Sequence, residues 1–197
     1  MALRESTREG TMHVKEAIET RRAYRALAPV KITDELIEDL ATAAQLAPSC
    51  FNNQPWRFVF AKDPAVLAEL HAALPEGNVW ATAGSMIIGV VSRKDLDCDI
   101  HGREYFLFGT GLAAAFLVLR ATELGLVAHP IAGYGHKAAK EALGVPQDMT
   151  LISLVIVGVH DPTATGLMTE KQREAEPERP ERRSLEEIAH IDRYGEG

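Results

Sequence analysis

Apolar positions along this chain switch between a helical period and a strand period, and the switches mark out its elements. From Thr11 to about Arg22, Val14, Ala17 and Ile18 share one helical face, with Thr11 as a candidate cap and Glu16 and Glu19 toward solvent. A second helix opens at Thr33-Asp34-Glu35, where a cap and two early acids suit the macrodipole. Its stripe runs through Leu36, Ile37, Leu40, Ala44 and Ala47. Arg57 to Ala61 reads as a short buried strand, and Asp63-Pro64 caps a helix that buries Val66, Leu67, Leu70 and Leu74. Pro75-Glu76-Gly77-Asn78 stops it. Ser85 to Val91 is a continuous apolar run of strand length, expected mid-sheet with both faces covered. Asp95 to His101 is a polar connection, and Tyr105 to Leu124 is apolar almost all round, as in a central or interface helix. After Gly125, Leu126 to Gly135 reads as a loop, His136 to Leu143 as a short helix closed by Gly144 and Pro146, and Thr150 to Val159 as a central strand.

The pattern ends in a charged, proline-containing tail from Glu170 to Arg183, followed by Ser184-Leu185-Glu186-Glu187-Ile188. Such a segment cannot bury enough surface to fold alone, so it is either disordered or laid across another surface such as a second subunit. The predicted organisation is a frayed stretch over 1–10, one domain over 11–160 and a tail over 161–197. A chain of 197 residues with 46% hydrophobic content supports one full core. A net charge of −7 argues against a general nucleic-acid surface. No apolar run approaches the roughly 20 residues that span a bilayer, and the charged Met1–Gly10 segment lacks an apolar signal core. Cys50 and Cys98 are too few for a disulfide framework and accord with a reducing cytoplasm.

Two stretches carry candidate chemistry. Arg21-Arg22-Ala23-Tyr24-Arg25 gathers three arginines at a helix exit, where they repel one another unless solvated or facing an anion. Pro48-Ser49-Cys50-Phe51-Asn52-Asn53-Gln54-Pro55-Trp56 sets short donors and acceptors between a buried helix and a buried strand, a rigidly carried loop suited to a planar heteroaromatic ring. A turn rich in Asn and Pro is the plain structural alternative. Gly109-Thr110-Gly111-Leu112-Ala113-Ala114 fits a dinucleotide fingerprint, but no acid stands about twenty positions later to hold a ribose. The Asp, Cys and His residues over 95–101 match no zinc spacing, and no metal is expected. Cys50 reads as a small buried thiol filling space in the loop.

The two stretches together resemble the flavin-dependent nitroreductase family, whose early Arg-Arg/His-Ser/Thr-x-Arg/Lys is followed by Pro-Ser-x-x-Asn-x-Gln-Pro-Trp. The second motif is met at every defined position. The resemblance implies an α+β fold, a three-layer sandwich with a mixed, mainly antiparallel sheet flanked by helices. It also implies an intertwined homodimer with FMN at the interface, its tail embracing the partner subunit. Carried over, Arg21, Arg22 and Arg25 resemble residues that hold the phosphate and the pyrimidine side of the ring, with Arg182 or Arg183 as a late basic contribution. Pro48, Ser49, Asn52 and Gln54 resemble those that address the flavin across the interface, and Pro130, Ile131, Ala132 and Gly133 the loop that packs on the ring and aims an amide at N5. Ala23 replaces a usual hydroxyl beside the phosphate, Ala132 stands where some members carry Glu, and Trp80 lies near where some place Lys at O2.

The activity implied by the resemblance is that of an FMN-dependent NAD(P)H oxidoreductase, cytoplasmic, with tightly bound FMN and NADH or NADPH as donor. It would reduce nitroaromatics, quinones or related electron-poor small molecules by a ping-pong hydride cycle, with Arg25 stabilising the reduced flavin. No side chain is expected to act as a nucleophile, and neither nucleic acid nor membrane is an expected partner. The competing class is an FMN-binding protein that stores, delivers or senses the cofactor without sustained turnover. A Rossmann-type NAD-binding protein without flavin is a third reading.

Overall fold

In the computed structural model, which describes residues 12–195, the apolar run forms β3 (Met86–Ser92), buried along its whole length. It lies between β2 (Arg57–Ala61) and β7 (Thr150–His160), both antiparallel to it. β7 also pairs with β6 (Val127–Ile131) and, at its end, with β1 (Leu27–Ala28). Side chains alternate across the sheet because strand periodicity is two. Ile87, Val91, Leu154 and Ile156 point into one core, and Met86, Ile88, Val155 and Val157 into the other.

Helices cover both faces, giving an α+β sandwich of three layers. On the first, α3 (Pro64–Ala72) and α5 (His136–Ala142) contribute Leu70 and Ala139. On the second, α2 (Asp34–Gln45) and α4 (Tyr105–Glu123) contribute Leu40, Ala44, Ala113 and Leu117. The caps read from sequence are present: Thr33 accepts from the Leu36 amide, and Asp63 from those of Ala65 and Val66. α1 (Val14–Thr20) begins after His13, whose side chain makes no capping bond. The proposed cap Thr11 and the stretch expected to be frayed lie outside the described residues. β4 (Asp99–Ile100) and β5 (Arg103–Glu104) form a separate hairpin, and the tail carries α6 (Glu170–Ala175) and α7 (Leu185–Ile188).

Among the described residues every ladder is antiparallel, in line with the mainly antiparallel sheet expected. Two expectations need correction. The segment Leu126–Gly135, read as a loop, contains β6, with Pro130 opposite Val155. Proline is tolerated there because β6 pairs only with β7 and its other edge needs no N–H. Helix α4, with 19 residues and mean hydropathy 1.5, is long and apolar enough to cross a membrane by length and composition. Here it packs on α2 and the sheet, and its Arg120 forks onto Asp39 with Nη2 to Oδ2 at 2.6 Å.

Candidate functional site

The arginine stretch leaves α1 extended, and the tail returns beside it. Glu176, buried just past α6, accepts hydrogen bonds at Oε1 from the backbone amides of Arg25 (2.7 Å) and Ala26 (2.9 Å). Arg22 reaches the other way, donating to the carbonyls of Glu176 (2.9 Å) and Glu178 (2.6 Å), and its guanidinium lies 4.8 Å from the Tyr24 ring. Arg179 donates to the Arg21 carbonyl at 2.8 Å. These contacts enclose a cleft of about 210 Å³ lined by Arg21, Arg22, Ala23, Arg25, Arg179 and Arg182 together with the acids Glu176 and Glu178, of which Glu176 pairs with Arg25 at 4.0 Å. Burial holds the Arg21 guanidinium below its usual range, with Arg179, Arg182 and Arg22 adding repulsion. Among the described residues, Arg21, Arg179 and Arg182 form no ion pair. Such a cluster is completed by an anion, for which the guanidinium fork is well shaped.

Arg183, the alternative to Arg182, stands apart from the cleft in an ion pair with Glu187 at 3.6 Å. Two residues were missed in the sequence, Arg179 and Glu176. Arg179 was visible as one more tail cation, whereas nothing local marks Glu176 as the acid that turns inward.

Arg21 also borders a second cavity of about 410 Å³, whose remaining walls are Gly111, Ala114, Ala115, Val118, Leu119 and Pro130. Arg21 is thus shared between the cationic cleft and an apolar wall formed by Pro130 and one face of α4. Ile131 turns into the core, while Ala132 and Gly133 are exposed. Asn78, which sequence reasoning passed over as a helix stop, donates from Nδ2 to the Gly133 carbonyl at 2.6 Å and accepts from Trp80 Nε1 at 3.2 Å. A Cβ on Gly133 would stand 2.8 Å from that Nδ2, so any other residue there would push the Asn78 side chain aside.

Trp80 is 1% exposed, stacked on His129 with centroids 4.5 Å apart, and the Arg25 guanidinium lies 5.9 Å from its ring. It is therefore a core side chain behind Arg25. His129 Nδ1 is 3.0 Å from the Tyr24 carbonyl, and burial pushes its pKa down to about 4. The imidazole is neutral near pH 7, with Nδ1 as the donor.

The loop Pro48–Gln54 lies elsewhere. Phe51, Asn52 and Gln54 adopt positive φ (47°, 58° and 50°), on either side of Asn53 at φ −70°, conformations uncommon for residues other than glycine and often found at functional sites. Ser49 supports it, its Oγ accepting from the Gln54 amide at 2.9 Å while its carbonyl accepts from Asn52. Pro48, Ser49, Cys50, Tyr105, Phe108 and Leu112 line a cavity of about 340 Å³ that shares no lining residue with the arginine cleft or the apolar wall. Within one chain the two predicted constellations are therefore apart, with α4 contributing to both the wall and the loop cavity.

Cys50 is not the free thiol expected from sequence. It is joined to Cys98, with Cα atoms 6.1 Å apart, and neither cysteine is free. Counting two cysteines excludes a framework but says nothing of a single bridge, and the 48 residues between them hide the contact from local reading. Ligand atoms of Cys50, Asp97 and Cys98 lie within 4.8 Å of one another, but the disulfide leaves neither sulfur a thiolate.

Comparison with known proteins shows the family. The family model described as "Nitroreductase family" matches residues 18–80, from α1 through the loop to Trp80. A protein of Archaeoglobus fulgidus, named provisionally as an NADH dehydrogenase/NAD(P)H nitroreductase, is 30% identical over 145 residues, covering 72% of this chain and 82% of its own. Among solved structures, one described as an oxidoreductase containing FMN is 29% identical with a TM-score of 0.77, covering 90% of this chain and 91% of its own. A nitroreductase family protein from Clostridium novyi NT is 25% identical with a TM-score of 0.70, covering 76% and 87% respectively. With its three-layer sandwich, paired arginines and Pro-Ser-x-x-Asn-x-Gln-Pro-Trp loop, the chain belongs to the nitroreductase family.

Proposed function

We propose that this protein is an FMN-dependent NAD(P)H oxidoreductase acting on electron-poor small molecules such as nitroaromatics and quinones. The observation that carries the reading is Arg21, half-buried among other arginines and bordering the apolar wall of α4. That arrangement fits FMN, with a dianionic phosphate at one end and a flat ring at the other. Arg21, Arg22, Arg179 and Arg182 would hold the phosphate end, Arg25 would face the pyrimidine side of the ring, and Pro130 and the α4 residues Gly111, Ala114 and Ala115 would bear on the ring. The FMN-containing relative supports the same cofactor.

When bound, FMN supplies two-electron chemistry between NAD(P)H and the acceptor, consistent with a ping-pong cycle. The protein's part is to bind, orient and exclude water. Glu176 and Arg179 fix the arginine backbone, and Asn78 holds the Gly133 carbonyl end of the Pro130–Gly133 segment. Arg25 brings positive charge to the ring side, where it favours the reduced, anionic cofactor.

Exposed apolar side chains support a homodimer: Val14 and Ile18 on α1, Leu46 after α2, and Phe108 and Phe116 on α4. The tail presents Leu185, Ile188, Ile191 and Tyr194 in the same way, suited to embracing the partner subunit. A second copy would bring a Pro48–Gln54 loop to each arginine cleft and unite the two constellations, with Pro48, Ser49, Asn52 and Gln54 addressing the ring. A cytoplasmic location belongs to the same reading. The test is anaerobic mixing of the yellow purified protein with NADH and with NADPH. Bleaching by either, reversed by a quinone or nitroaromatic, supports turnover; failure of both leaves a storage or sensor protein.

A further inference from the structure

Cys50 and Cys98, the only two cysteines in the sequence, form a disulfide in the wall of the loop cavity. Its position is not that of a staple within a core. Both residues are half-buried, outside the two core clusters, and a domain of this size with two packed faces has no need of a cross-link. Cys50 follows Ser49 in the loop assigned to FMN, and both line the cavity with Tyr105 and Phe108.

The surroundings suit a reacting pair. Asp97 has a carboxylate oxygen within 4.8 Å of both sulfurs, and its Oδ2 is buried with no hydrogen-bond partner among the described residues. Its Oδ1 accepts from the Cys98 amide at 2.9 Å and from Asn53 Nδ2 at 3.2 Å, and the same Nδ2 lies 3.7 Å from Cys98 Sγ. A carboxylate within reach of both sulfurs can relay protons to thiols as they form, a service an inert cross-link does not use. In a reducing compartment, disulfides are chiefly transient, catalytic or sensing.

We infer that Cys50–Cys98 is a second two-electron centre, a reversible disulfide/dithiol couple that accepts reducing equivalents from reduced FMN. This rests on the reading that the Pro48–Gln54 loop addresses FMN. In the step, the S–S bond breaks and two S–H bonds form. Two electrons and one proton come from reduced FMN, which returns to its oxidised form, and the second proton comes from solvent by way of Asp97.

The test reads thiols as well as flavin. FMN-loaded full-length protein is reduced anaerobically with stepwise NAD(P)H, flavin absorbance is followed, and thiols are trapped with iodoacetamide and located by mass spectrometry. Wild type should consume about two equivalents per chain and become alkylated at both cysteines, whereas Cys98→Ser should consume about one. If NAD(P)H leaves the flavin unbleached, the oxidoreductase reading fails; the flavin is then photoreduced, and thiol appearance alone decides this inference. A bleached flavin with Cys50 and Cys98 still joined overturns it, as does equal uptake by wild type and Cys98→Ser, or full alkylation of the untreated protein.

Discussion

Glu176 Oε1 accepts the backbone amide of Arg25 at 2.7 Å, joining residues 151 apart in sequence, and the adjacent Ala26 amide shares the same oxygen. The tail is thereby bonded to the segment that carries Arg21, Arg22 and Arg25, the arginines proposed to hold FMN. Removing the carboxylate leaves two amides, one of them buried, without a partner. Glu176→Ala should cost about 2–4 kcal/mol in urea unfolding and weaken FMN binding, while Glu176→Gln, which keeps an acceptor oxygen, should lose less than half as much. Equal losses for the two variants would show that the oxygen is not what matters.

His129 predicts an acid limb in stability. Its folded value of about 4 lies below the ordinary 6.5, so the unfolded chain takes up the proton first as pH falls. Stability is full above pH 6.5 and declines as pH drops toward 4, by up to about 3 kcal/mol for this group. Urea unfolding of wild type and His129→Gln at pH 7, 6, 5 and 4.5 checks it. The variant should show the shallower decline, and parallel profiles would remove His129 as the cause.

Gly133 and Asn78 should behave as a coupled pair. Gly133→Ala places a methyl 2.8 Å from Asn78 Nδ2 and displaces the side chain that bonds the Gly133 carbonyl and Trp80. The expected cost is about 1–2 kcal/mol in wild type and clearly less in an Asn78→Ala background. Additive costs from the double-mutant cycle would mean that the two do not interact.

These residues show where sequence reading succeeds and stops. Repeating patterns were legible: the stripe of α2, the Asp63-Pro64 cap, the apolar run of β3 and the loop motif all concern neighbours within a few positions. Strand β6 was hidden because His129, Pro130 and Gly133 carry turn chemistry locally, and only pairing with β7 makes the segment a strand. Glu176, Arg179 and the Cys50–Cys98 bond depend on contacts 48 to about 160 residues apart, which no local pattern encodes. For the site, the arginines and the loop were readable as chemistry. Their separation within one chain, the choice of Arg182 over Arg183 for the cleft, and the grip of Asn78 on Gly133 required coordinates.

The assignment of the arginine cleft to the phosphate of FMN is tested most directly by one binding constant. This is the FMN dissociation constant of the flavin-stripped protein, measured by fluorescence titration for wild type and Arg21→Ala. Loss of a charge-assisted hydrogen bond of about 1.5–3 kcal/mol should raise the constant roughly ten- to hundredfold. An unchanged constant in Arg21→Ala, or no FMN binding by wild type, would contradict it.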